Sequence, residues 1–153
     1  MKIESVETFI ATNWMMVRLT TESGIQGIGE STFFGWPRAA EDVVLSFRNY
    51  LIGADPMRVE HHWNYMYRAK SMRGGAVGGG ISAIDQALWD IKGKHFEAPV
   101  WQLLGGKTRD RVRAMLVIPM GTRDEVAAHA ANAKKDGFTA AKVLLFQHEH
   151  ATM

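Results

Sequence analysis

GGGISAIDQALWDIKGK, residues 78–94, decides how the rest of the chain is read. Three glycines precede an apolar run carrying two aspartates, so the stretch is either a phosphate cradle with acids beside it or a piece of packing. Ile81, Ile84, Leu88 and Ile91 recur at the helical period and share one face. Ser82 and Asp85 have the spacing of a capping box, and Gly93 stands where a C-terminal glycine belongs. On this reading residues 74–80 are a tightly turning loop ahead of the helix, with a close approach to a ligand as the alternative. The dinucleotide fingerprint fails, because Ala76 occupies its second glycine. The P-loop fails as well: Gly106-Lys107-Thr108 fits its tail, but Trp101 occupies its first glycine. Asp85 and Asp90 are separated by about 500° of helical rotation and do not share a face. Asp85 reads as a cap, and Asp90 as the partner in a structural hydrogen bond or ion pair.

Upstream, the first thirty residues read as an antiparallel meander. Lys2–Ala11 offers Ile3, Val6 and Phe9 as apolar points, Trp14–Thr21 is β-rich, and Ile25–Glu30 returns after the turn Glu22-Ser23-Gly24. A loop, STFFGW, leads to Pro37, which suits a first helical turn. Ala40, Val43, Val44, Phe47 and Leu51 continue that helix, and Gly53 stops it. Asp55-Pro56 is expected to start a second helix carrying Val59, Trp63, Met66 and Tyr67. Downstream, PVWQLLGG is a short helix between Pro99 and Gly105. Past about residue 110 the pattern becomes strand, helix, strand: Arg113–Ile118, then Asp124–Lys135 with Thr122 and Glu125 as a capping box, then Ala140–Phe146. Two strands joined by a helix imply a parallel pair with a right-handed crossover.

Hydrophobic residues make up 46% and charged residues 22% of the 153, a globular composition. A formal charge of +2 without a basic run argues against nucleic acid as a partner. No stretch approaches the roughly 20 apolar residues that span a bilayer, so no membrane partner is expected. The absence of cysteine excludes disulfides and thiolate metal sites and fits a cytoplasmic location. His61 and His62 diverge by about 100° on a helix, which does not suit a shared metal. His148, Glu149 and His150 could touch one, although three polar residues in a row are more often solvated. Trp14, Phe33, Phe34 and Trp36 lie in the two loops flanking the meander, where they serve either the core or a lid over a pocket.

Several segments resemble one family. YLIGADP (50–56), HHWNYMYRA (61–69), RGG (73–75), SAIDQALWDIKGK (82–94) and APVWQLLGG (98–106) are similar to the mandelate racemase/muconate lactonizing enzyme branch of the enolase superfamily. The likeness is strongest to acid-sugar dehydratases of the galactonate dehydratase type. NWMMVRLTTESGIQGIGE (13–30) resembles the N-terminal hairpin of the same branch, and the likeness extends to about residue 146. It implies an α+β capping domain, a three-stranded antiparallel meander plus helices, over residues 1–110. Residues 111–153 would then be the first β-α-β of a (β/α)₇β barrel. The opening stretch becomes packing.

The resemblance also implies chemistry: abstraction of the proton α to a sugar carboxylate and loss of water to a 2-keto-3-deoxy acid, with Mg²⁺ as cofactor. Asn13, Trp14, Phe34 and Trp36 fall in the two capping loops that close over substrate. The family's Lys-x-Lys strand matches AAKVLLF, with Lys142 at the first position and Leu144 replacing the second lysine. Lys142 is therefore the catalytic candidate, as a carboxylate-binding or charge-tuning group. The loss of the second lysine disfavours a racemase or lactonizing enzyme that uses that lysine as its base; a racemase, epimerase or cycloisomerase remains the alternative within the superfamily. A non-catalytic, self-associating module is the alternative outside it. A barrel occupies about 250 residues, so an N-terminal fragment is expected, inactive alone, with its metal ligands beyond Met153. Two barrel strands alone leave unpaired edges, which points to a homo-oligomer.

Overall fold

In the computed structural model, which describes residues 1–69, 71 and 73–143, the meander is built from β1 (Ile3–Ala11), β2 (Trp14–Thr21) and β3 (Gln26–Ser31), antiparallel and in that order. Strand β2 alternates strictly, burying Met15, Val17, Leu19 and Thr21. Strand β1 buries Ile3 and Val6, three residues apart, because its register against β2 slips between them: Ile3 faces Thr21, and Ser5 already faces Thr20. The extra residue is a β-bulge, which turns both side chains to the inner face. Phe9, expected as an apolar point, lies on the outer face at 45% exposure. Arg18 covers it, 4.9 Å from the ring centroid, and holds Glu7 through Nε and Nη2, each at 3.0 Å.

Helices α1 (Pro37–Ser46), α2 (Arg48–Leu51), α3 (Val59–Arg68), α4 (Gly75–His95) and α5 (Val100–Leu103) complete the first compact unit, Met1–Gly106. Its core joins the inner sheet face to Ala40, Val44, Phe47, Leu51, Val59 and Met66, and to the Ile81, Ile84, Leu88 and Ile91 stripe of α4. Three elements depart from the sequence-based expectation. The glycine run is not a loop, since α4 starts at Gly75; tertiary contact overrides glycine's poor helix propensity. A Cβ on Gly80 would lie 2.6 Å from Val43, so the small residues let α1 and α4 approach. Ser82 and Asp85 are consequently interior, no capping box forms, and the helix runs through Gly93 to a cap at Phe96. Lastly, Asp55-Pro56 forms a turn in which Asp55 Oδ1 accepts the Met57 N–H at 3.0 Å. Helix α3 begins three residues later and buries Val59, His62 and Met66, leaving Trp63 and Tyr67 exposed and stacked at 4.7 Å.

Helix α4 meets β3 at backbone distance. A Cβ on Gly27 would lie 2.0 Å from the Ala87 carbonyl oxygen, and one on Gly29 1.8 Å from that of Ala83. Beside this contact, α4 side chains satisfy the outer edge of the strand. Gln86 accepts the Glu30 N–H and donates to the Glu30 carbonyl, both at 3.1 Å. Asp90 accepts the Ile28 N–H at 2.9 Å, and Lys94 donates to the Gln26 carbonyl at 2.7 Å. Four helical residues rise about 6 Å and two strand residues about 6.8 Å, so the two series keep step.

The second unit, Lys107–Met153, contains β4 (Leu116–Ile118), α6 (Arg123–Lys135) and β5 (Ala141–Val143), with β4 and β5 parallel. The Thr122–Glu125 capping box is present at the start of α6. Strand β4 is shorter than expected: Arg113, three residues before it, donates instead to the Thr139 hydroxyl at 2.8 Å and to the Thr139 carbonyl. Residues 144–146 of the expected second strand lie outside the described residues. The architecture is an α+β meander-and-helix layer followed by the β-α-β with which a parallel barrel begins.

Candidate functional site

The register of the meander gathers the loop candidates. Ala11 pairs with Trp14 and Met15 with Ser31, so the β1–β2 turn and the segment after β3 leave the sheet at the same end. The first loop is the two-residue turn Thr12-Asn13, in which Thr12 takes φ 55°, an uncommon conformation for a β-branched residue. The second is closed by a hydrogen bond from the Trp36 N–H to the Phe33 carbonyl at 2.8 Å, with Gly35 at φ 82°. Glycine at the third position with positive φ is the signature of a type II turn. Phe34 is then at the turn's outer corner. Trp14, Phe34 and Trp36 are exposed by 54%, 83% and 68%, and Asn13, next to Trp14 in sequence, is exposed as well. Core packing therefore does not account for these three rings.

Lys142 belongs to the second unit, on β5 opposite Val117, with its side chain exposed. Leu144, His148, Glu149 and His150 lie outside the described residues. Among the described residues, no three His, Asp or Glu side chains converge on a point that could hold a metal ion. Mg²⁺ needs near-octahedral oxygen coordination, so these residues do not make a site for it. Nor is any helix among them long and apolar enough to cross a membrane.

The remaining polar candidates have structural partners or surroundings. Asp90 binds the Ile28 N–H and Lys94 Nζ, the latter at 2.8 Å. Asp85 is partly buried in α4; burial first, then the Glu60 carboxylate, raise its pKa. His62 is a core histidine. Its Nε2 donates to the Asp55 carbonyl at 2.8 Å, which leaves Nδ1 to accept from the Tyr50 hydroxyl at 2.8 Å. Desolvation is the main cause of its lowered pKa, and the same cause raises that of Tyr50.

Two features of the loop end were not seen in the sequence. Gln86 fixes the backbone of Glu30 at the root of the second loop, and Phe33 lies against Gly75 at the start of α4. The first had a signal, the four-residue spacing of Gln86, Asp90 and Lys94. The second had none, because glycine presents no side chain to pair.

A family model described as the mandelate racemase / muconate lactonizing enzyme N-terminal domain matches residues 2–105. Among solved structures, a "putative dehydratase" from Mesorhizobium loti is similar at 36% identity and TM-score 0.85, over 94% of this chain and 41% of that one. Another from Zymomonas mobilis ZM4 is similar at 31% identity and TM-score 0.86, over 93% and 42%. An enolase from Agrobacterium radiobacter, described as a "putative galactarate dehydratase" bound to Na and L-malate, is similar at 29% identity and TM-score 0.84, over 94% and 38%. The chain thus spans about two-fifths of the length of these relatives.

Proposed function

Because the chain belongs to the mandelate racemase/muconate lactonizing enzyme family of the enolase superfamily, we propose that it supplies the substrate-closing cap, and the opening β-α-β, of a hydro-lyase acting on a sugar acid. The reaction removes the proton α to the carboxylate and expels the β-hydroxyl as water. The enol that remains tautomerises to a 2-keto-3-deoxy acid. Trp14, Phe34 and Trp36 form an apolar wall over the sugar and exclude water from the acidified carbon. Asn13 offers both a donor and an acceptor to sugar hydroxyls. Lys142 offers its ammonium charge to the substrate carboxylate. Mg²⁺ is the cofactor this reading calls for, with ligands other than the described residues.

The observation that carries the proposal is the pair of loops at one end of the sheet, presenting three large exposed rings, in a chain whose relatives include proteins described as dehydratases. The test is a chimaera in which this chain replaces the matched part of the Mesorhizobium loti protein, assayed with Mg²⁺ on a panel of sugar acids. Water loss is expected, and Trp36→Ala should raise KM or change the preferred acid by about tenfold while shifting Tm little. Interconversion of stereoisomers without water loss would favour an epimerase instead. Unaltered kinetics with a large fall in Tm would return Trp36 to a packing role.

A further inference from the structure

We propose that Phe33 and Gly75 are positioning residues that lock the Ser31–Trp36 loop onto helix α4 and so set where Phe34 and Trp36 meet a substrate; this rests on the function proposed above. The loop is fixed at its root by the Met15–Ser31 pairing and at its exit by the Ala39 N–H, which donates to the Trp36 carbonyl at 3.1 Å. Between these points its side-chain anchor is Phe33. A Cβ built on Gly75 would lie 2.3 Å from Phe33 Cε2 and 3.0 Å from Cζ, so the ring occupies the space that any other residue at 75 would fill. One turn further along the helix, a Cβ on Gly79 would lie 2.5 Å from Ser31 Oγ. Gly75 and Gly79 therefore leave a recess on the side of α4 that faces the loop. Phe33, itself 36% exposed, lays one edge of its ring over this recess, while Phe34, in the turn closed by the Trp36–Phe33 hydrogen bond, is 83% exposed.

This arrangement makes a substitution that separates positioning from helix stability. Gly75 does not have a positive φ, so alanine suits its backbone and improves helix propensity. The added methyl must nevertheless move the Phe33 ring by more than about 1 Å to reach ordinary contact distance. Phe33→Ala vacates the recess from the other side.

The first arm measures amide hydrogen exchange in the 153-residue chain, with the Trp36 N–H as the probe. Phe33→Ala and Gly75→Ala should each speed exchange at Trp36 by about tenfold without changing β1 and β2, and the double variant should be no faster than either. Unchanged exchange in both single variants overturns the lock. The second arm uses the chimaera, where Gly75→Ala should raise KM several-fold and leave kcat within about twofold. If Trp36→Ala shifts KM and Gly75→Ala does not, the lock has no part in substrate recognition and the proposal falls. If Trp36→Ala is itself silent, the functional reading fails, and the exchange data alone decide whether Phe33 anchors the loop.

Discussion

Asp85 costs the fold stability at neutral pH, because a carboxylate with a raised pKa is more easily ionised in the unfolded chain than in the helix. Its burial, reinforced by Glu60, sets the direction. The penalty is absent below the ordinary value of 3.8, grows as pH rises to the folded pKa and stays constant above it. Asp85→Asn should therefore raise Tm at pH 7, and the gain should narrow as pH is lowered; a loss at pH 7 typical of a broken cap would contradict this. His62 works in the opposite range. Its folded pKa is lowered, so the unfolded chain takes up the proton first and stability falls as pH drops below about 6.5. Melting curves between pH 7.5 and 5.5 should show that slope, flattened in His62→Gln. An equal slope in both proteins would assign it to other groups.

At the scale of elements, one substitution should have opposite signs at two glycines. Nothing lies within 4 Å of a Cβ on Gly78, so Gly78→Ala should stabilise α4 by about 0.5–1 kcal/mol. Gly29→Ala should cost about 3 kcal/mol, because its methyl would meet the Ala83 backbone, which cannot rotate away. Urea titrations of both variants check the pair, and equal shifts would mean that α4 and β3 are looser than their backbone contact requires. The same contrast explains what could be read from the sequence. Local signals identified β2, Pro37 at the start of α1, the Thr122–Glu125 box and the parallel β-α-β, since each is stated by neighbours within a few residues. The start of α4 was hidden, because Gly75, Gly79 and Gly80 pack against Phe33, Ser31 and Val43, far off in the chain. The bulge in β1 was equally hidden, since register is a property of two strands. Turn chemistry made the loops of Trp14, Phe34 and Trp36 legible, but the partner that holds Phe33 is a residue without a side chain.

For the molecule as a whole, the acids past the helical layer bear on metal affinity. Asp124 and Glu125 open α6, Asp136 caps its end, and Asp110 stands 4.0 Å from Lys107. Glu149 lies outside the described residues. The 153-residue chain alone should bind Mg²⁺ weakly and show no sugar-acid turnover; calorimetry giving tight binding, or turnover without the chimaera's barrel, would refute that. The side chains that close the edge of β3 also bear on how the protein is made. Lys94 and the strand residue it serves, Gln26, are 68 positions apart. At synthesis rates of about 5–20 residues per second, the helix that seals the sheet follows its last strand by roughly 3–14 s. For that interval a newborn chain carries an open strand edge, which a chaperone or the nascent chain of a neighbouring ribosome can reach before Gln86, Asp90 and Lys94 arrive to cover it.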